Sequence, residues 1–98
     1  MRECRSFFGV EVEFDPTKDA ANVRKHGVSL RAGRVVLESM VGERQDPRPY
    51  GGEVRMQAFG LIQNRLFCCV YTVRDGVRRI IPVRVASRKE AREWLEST

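Results

Sequence analysis

The chain has 98 residues and a formal net charge of +5, enough for one domain, residues 1–98, around a single core. It contains no run of about 18 apolar residues and no apolar secretory stretch after Met1, which argues against a membrane span or export and for the cytoplasm. Cys4, Cys68 and Cys69 are odd in number, and the last two would point to opposite faces of a strand. With one histidine besides, the composition excludes a disulfide framework and an ordinary structural zinc site.

In chain order, Met1 to Arg5 carries no pattern and is expected to be loose. Phe7 to Phe14 alternates, with Phe8, Val10, Val12 and Phe14 on one side and Glu11 and Glu13 on the other, as in a half-buried strand. Asp15 and Pro16 then suit the N-cap and first position of a helix, and Gly27 after Lys25 and His26 suits its end. Lys18, Asn22, Lys25 and His26 share one stripe of that helix, although Lys25 and His26 also simply complement the helix dipole. A second helix is expected from Ser29 to about Ser39, with Leu30, Ala32, Val36 and Leu37 inward, and Gly33 counts against it. Met40 to Glu53, rich in glycine and proline, reads as a long connection.

Val54 to Ala86 reads as a meander of three strands, 54–62, 66–73 and 78–86. Asp75-Gly76 is a strong two-residue hairpin signal, which sets Tyr71 opposite Ile80 and Phe67 opposite Arg84. A three-residue turn around Asn64 sets Arg55 opposite Val73. One face then holds Val54, Met56, Ala58, Ile62, Leu66, Cys68, Val70, Ile81, Val83 and Val85. The other mixes Arg55, Gln57, Tyr71, Arg78 and Arg84 with Phe59, Leu61, Phe67 and Ile80. Pro82 lacks a ladder donor and predicts an edge or a bulge. Ser87 and Glu90 form a capping box for a last helix bearing Ala91, Trp94 and Leu95. The expected class is α+β: an antiparallel sheet of an N-terminal strand plus the meander, with two N-terminal helices and a C-terminal helix.

Charge is placed unevenly. Residues 54–92 carry nine basic side chains against Asp75 and Glu90, and fifteen of the chain's eighteen basic residues are arginine, whose planar fork grips phosphate. A solvated basic surface is the plain reading; a surface for an anionic partner is the functional one.

The pattern Phe14-Asp15, Lys18, Asn22, Lys25-His26-Gly27-Val28-Ser29 resembles the opening signature of the BrnT-type toxins, bacterial ribonucleases of type II toxin–antitoxin pairs with a RelE-like fold. Glu53-x-Arg55, Gly60, Arg79-Ile80-Ile81, Arg84, Ala86, Glu90 and the aromatic Trp94 resemble the family's later blocks in order and spacing. Pro82 stands where serine is usual, Phe14 where tryptophan is usual and Trp94 where tyrosine is usual. The resemblance implies an RNA substrate and a ribbon-helix-helix antitoxin (BrnA-like). It further implies a complex that binds operator DNA, with a heterotetramer as one assembly, and no cofactor.

Metal-free RNA cleavage needs a base for the 2′-hydroxyl, an acid for the leaving oxygen, and fixed positive charge on the phosphorane. Proton transfer would fall to Lys18, Lys25, His26 or Glu53, and charge to Arg55, Arg79 and Arg84. Lys18, Tyr71, Arg78 and Arg88 are the expected RNA-binding residues. Several have plainer alternatives: His26 as a hydrogen-bonded helix end, Glu53 with Arg55 as a surface ion pair, Arg79 as exposed or carboxylate-paired. A non-catalytic nucleic-acid-binding or protein-interaction module would use the same basic face.

Overall fold

The computed structural model describes residues 3–7 and 10–96. Helix α1, Pro16–His26, forms as its ends dictate. The Thr17 amide donates to the Asp15 carboxylate at 2.9 Å, Pro16 occupies the first turn, and Gly27 closes the helix in the left-handed region at φ 72°. Helix α2, Ala32–Glu38, is shorter than expected. Ser29 and Leu30 instead make a corner fastened to α1: the Ser29 hydroxyl and Leu30 amide both donate to Asp19 Oδ1, at 2.8 and 2.7 Å. Gly33 is helical despite its low propensity because a Cβ there would press on the Ile80 and Cys69 side chains. The missing side chain is what lets α2 lie close to the sheet.

Six strands form one sheet in the order β1-β2-β6-β5-β4-β3. They are β1 Glu3–Phe7, β2 Val10–Phe14, β3 Met40–Gln45, β4 Met56–Ile62, β5 Arg65–Arg74 and β6 Val77–Val85. Neighbours are antiparallel except β2 and β6, which run parallel through Val12–Arg78 and Glu13–Arg79. Two expectations are corrected here. The N-terminal segment is a hairpin, with Phe7 opposite Val10, in place of a loose tail and one strand; the expected side of Phe8 lies outside the described residues. The connection after Met40 contains β3, a strand with no alternation because it is an edge held by the β4 ladder. At Gly42, Trp94 fills the space a Cβ would need.

The meander forms, but its register differs at two points. Gln63 and Asn64, at φ 51° and 65°, make a two-residue turn with Ile62 opposite Arg65. That one-residue difference moves the side chains of β5 to opposite faces relative to β4. Cys69 and Tyr71 now join Ala58, Ile80 and Val83 in the core under α1 and α2, with Val12, Phe14, Leu30 and Val36. Leu66, Cys68 and Val70 instead join Phe59 on the other face. Helix α3, Arg88–Leu95, covers that second core with Ala91 and Trp94, whose ring stacks on Phe59 at 5.0 Å. Because both faces of β5 are buried, its hydrophobicity could not select between the two registers.

At the second point, Tyr71 does meet Ile80, but Cys69 meets Val83, so Ile81 and Pro82 bulge opposite Val70 and Phe67 reaches Val85. Pro82 is therefore bulged, as its missing donor predicts. Beyond this bulge the free edge of β6 is closed by a side chain. Asn22, buried in α1, donates to the Val83 and Val28 carbonyls at 2.8 Å each and accepts from the Val83 amide at 3.3 Å. Asn22 thereby stands in for a strand and docks α1 along β6.

Candidate active site

Docking α1 by Asn22 turns its basic stripe toward the bulge. Lys18, Asn22, Lys25 and His26 line one wall of a cavity of about 340 Å³, with Ile81 and Pro82 opposite. Lys18 and Ile81 also line an adjoining cavity of about 250 Å³, together with Asp15, Arg55, Arg74 and Arg79. The two make one groove, with Lys25 and His26 at one end and three arginines at the other.

The arginines are fixed by carboxylates. Arg79 lies 3.4 Å from Glu13, a residue only 5 % exposed, so Glu13 belongs to the interior and not to the expected outer surface. Glu53 accepts from Arg55 Nε at 2.9 Å and from an Arg74 terminal nitrogen at 2.8 Å. These two guanidinium groups, Arg74 first, hold the Glu53 carboxyl below its ordinary range. The Arg55 guanidinium also lies over the Tyr50 ring at 3.9 Å. Tyr50 is held in turn, its hydroxyl donating to Asp46 at 2.9 Å, while Arg48 grips the same buried carboxylate with two nitrogens at 3.0 and 2.7 Å. Hydrogen bonding from Arg48 keeps Asp46 ionised well below the usual carboxylate range.

The other expected site residues stand elsewhere. Arg84 shares a sheet face with Arg55, but its guanidinium is bound by both Glu90 oxygens at 2.7 and 2.9 Å. Arg44 adds a contact to Glu90 at 3.5 Å, so this cluster ties α3 to the sheet. Arg88 is exposed at the start of α3. Tyr71 cannot offer its ring to a base: it is 3 % exposed, its hydroxyl donates to Glu43 at 2.5 Å, and Arg78 covers the ring at 5.5 Å. Burial first, then Glu43, raises the Tyr71 hydroxyl's pKa. Arg74 is the groove residue that sequence reasoning passed over. Its signal was the hairpin, since Thr72 pairs with Arg79 and Arg74 follows two residues later on the same face. Among the described residues, no three histidine, cysteine, aspartate or glutamate side chains converge as metal ligands would.

Fold and groove together describe a small basic α+β protein with a preformed cationic channel along one sheet edge. Residues 14–90 match the family of the ribonuclease toxin BrnT of type II toxin–antitoxin systems, a span that includes both walls of the groove. The chain belongs to this family and is a ribonuclease toxin of the endoribonuclease kind. No curated protein matches the chain. Family membership brings an RNA substrate and a cognate antitoxin with it. Among the described residues no helix is long and apolar enough to cross a membrane.

Proposed function

We propose that RNA is cleaved in the groove between α1 and β6, without a divalent metal. The carrying observation is the convergence of Lys18, Arg55 and Arg79 on one cavity that continues to Lys25 and His26. In this reading the arginines and Lys18 hold the scissile phosphate and stabilise the phosphorane as its charge develops. A 2′-hydroxyl loses its proton to a base at the Lys25–His26 end and attacks the adjacent phosphorus. The P–O5′ bond breaks as the leaving oxygen takes a proton, which leaves a cyclic 2′,3′-phosphate and a 5′-hydroxyl. Loss of intact RNA would stop translation in the cytoplasm.

The antitoxin, of ribbon-helix-helix type, would neutralise the toxin by laying acidic side chains where phosphates otherwise sit. The joint complex, a heterotetramer for example, would bind operator DNA. The test is turnover of a defined transcript by the whole chain. Arg79→Ala and Arg55→Ala are expected to lower turnover by about 10²-fold, the typical cost of removing a preorganised charge from a transition state. Arg65→Ala, exposed at a turn outside the groove, is the control. Activity should persist in chelator; its loss there, or full turnover in both arginine variants, would overturn the reading.

A further inference from the structure

The Glu53 carboxylate bridges two guanidinium groups, one oxygen to Arg55 and the other to Arg74, and both of these arginines line the cavity that Arg79 and Lys18 also line. A phosphodiester offers two non-bridging oxygens of similar spacing and charge, and guanidinium forks bind either group by the same charge-assisted bonds. Arg55 has other supports. It is stacked on Tyr50, and the chain beside it is pinned where the Thr72 hydroxyl donates to the Val54 carbonyl at 2.8 Å. Glu53, by contrast, ends a turn in which its amide donates to the Tyr50 carbonyl and Gly51 and Gly52 both have positive φ, 62° and 88°. With both oxygens engaged by cations, this carboxylate is poorly placed to take a proton from a nucleophile.

We propose that Arg55 and Arg74 form a clamp for an RNA phosphate, and that Glu53 occupies it in the free protein as an internal stand-in that the incoming strand displaces. Arg74 is thereby a binding residue, and Glu53 sets the threshold for entry rather than carrying protons. This inference rests on the groove being the RNA site, and the experiment separates the two.

The probe is a 2′-O-methylated RNA oligonucleotide, which binds but lacks the attacking hydroxyl, titrated by fluorescence anisotropy into the full chain at several salt concentrations. Arg74→Ala should weaken binding about fivefold and reduce the salt slope by about 0.7, the share of one phosphate on a single strand. Glu53→Gln keeps the shape and removes the competing charge, so it should tighten binding about threefold, the scale of one exposed ion pair. Unchanged binding in Arg74→Ala, or unchanged or weaker binding in Glu53→Gln, overturns the clamp. So does a Glu53→Gln variant that binds as before but no longer turns over unmodified RNA, since Glu53 would then be a proton carrier. Lys18→Ala and Arg79→Ala are measured alongside. If these impair binding while Arg74→Ala and Glu53→Gln do not, the clamp alone fails. If they alter neither binding nor cleavage, the groove is not the RNA site and both readings fall.

Discussion

Arginine in this protein does two jobs that the residue type alone does not separate. Arg84 and Arg55 share a sheet face, yet Arg84 is saturated by Glu90 while Arg55 lines the open groove. Hydrogen bonding from Arg84 lowers the Glu90 carboxyl from its ordinary 4.5 to about 2, against burial, which raises it. A carboxylate whose pKa is lower folded than unfolded stabilises the protein above its unfolded value and ceases to do so as it is protonated. The pair's contribution is therefore present above about pH 4.5 and lost as pH falls toward 2. In urea titrations Arg84→Ala should cost about 2 kcal/mol at pH 7, since it strips a largely buried carboxylate of both its Arg84 bonds and leaves it the Ser87 amide and the longer Arg44 contact. The difference from the parent should shrink between pH 5 and pH 3. At temperatures where both remain folded, turnover by Arg84→Ala should stay within about threefold of the parent, whereas a loss comparable to that of Arg79→Ala would return Arg84 to the chemistry.

At the scale of elements, the site depends on how closely helices approach the sheet. Asn22 supplies the two hydrogen bonds to Val83 that a neighbouring strand would otherwise make, and a third to the Val28 carbonyl. Asn22→Ala leaves the Val83 amide and carbonyl unpaired in a buried place and should cost about 2–3 kcal/mol. Because α1 carries Lys18, Lys25 and His26, the same variant should lose turnover even under conditions where circular dichroism shows it folded. Retention of full activity would mean that α1 is held by other contacts. Gly60 matters for the opposite reason. A Cβ there would run into the Val36 backbone carbonyl, which cannot rotate away, so Gly60→Ala should displace α2 and cost about 1–3 kcal/mol. A melting temperature equal to the parent's would show that α2 shifts freely.

For the molecule as a whole, charge and topology agree on where a partner should sit. Of the basic residues in 54–92, Arg55, Arg74 and Arg79 line the groove, and α1 brings Lys18, Lys25 and His26 to it, while Glu13 is turned inward onto Arg79. A cognate antitoxin carrying acidic side chains is expected to cover the groove. Hydrogen exchange on the complex should then protect residues 16–26 and 77–85, and the affinity should fall steeply with salt. Protection confined to β1 and the exposed Glu11 would place the interface on the wrong side for this scheme.

The amino-acid sequence by itself determined what local chemistry and charge can determine. Asp15, Pro16 and Gly27 specify α1; Ser87 and Glu90 specify the start of α3; Asp75-Gly76 specifies the last hairpin; and the spacing of Lys18, Lys25 and His26 puts them on one stripe. The family was legible for the same reason, since each of its blocks is short and read locally. Tertiary structure alone decided the rest. Strands β3 and β1 are formed by their neighbours' ladders and carry no apolar period of their own, whereas β2 falls on the alternation of residues 10–14. The one-residue register of β5 was undetermined because both of its faces are buried and both are apolar. Which arginines remain open depends on where the acids fall: Glu90 comes back along α3 to claim Arg84, and Glu53 reaches Arg74 across 21 residues of chain. Such pairings follow from the fold's closure in space, and no spacing in the chain encodes them.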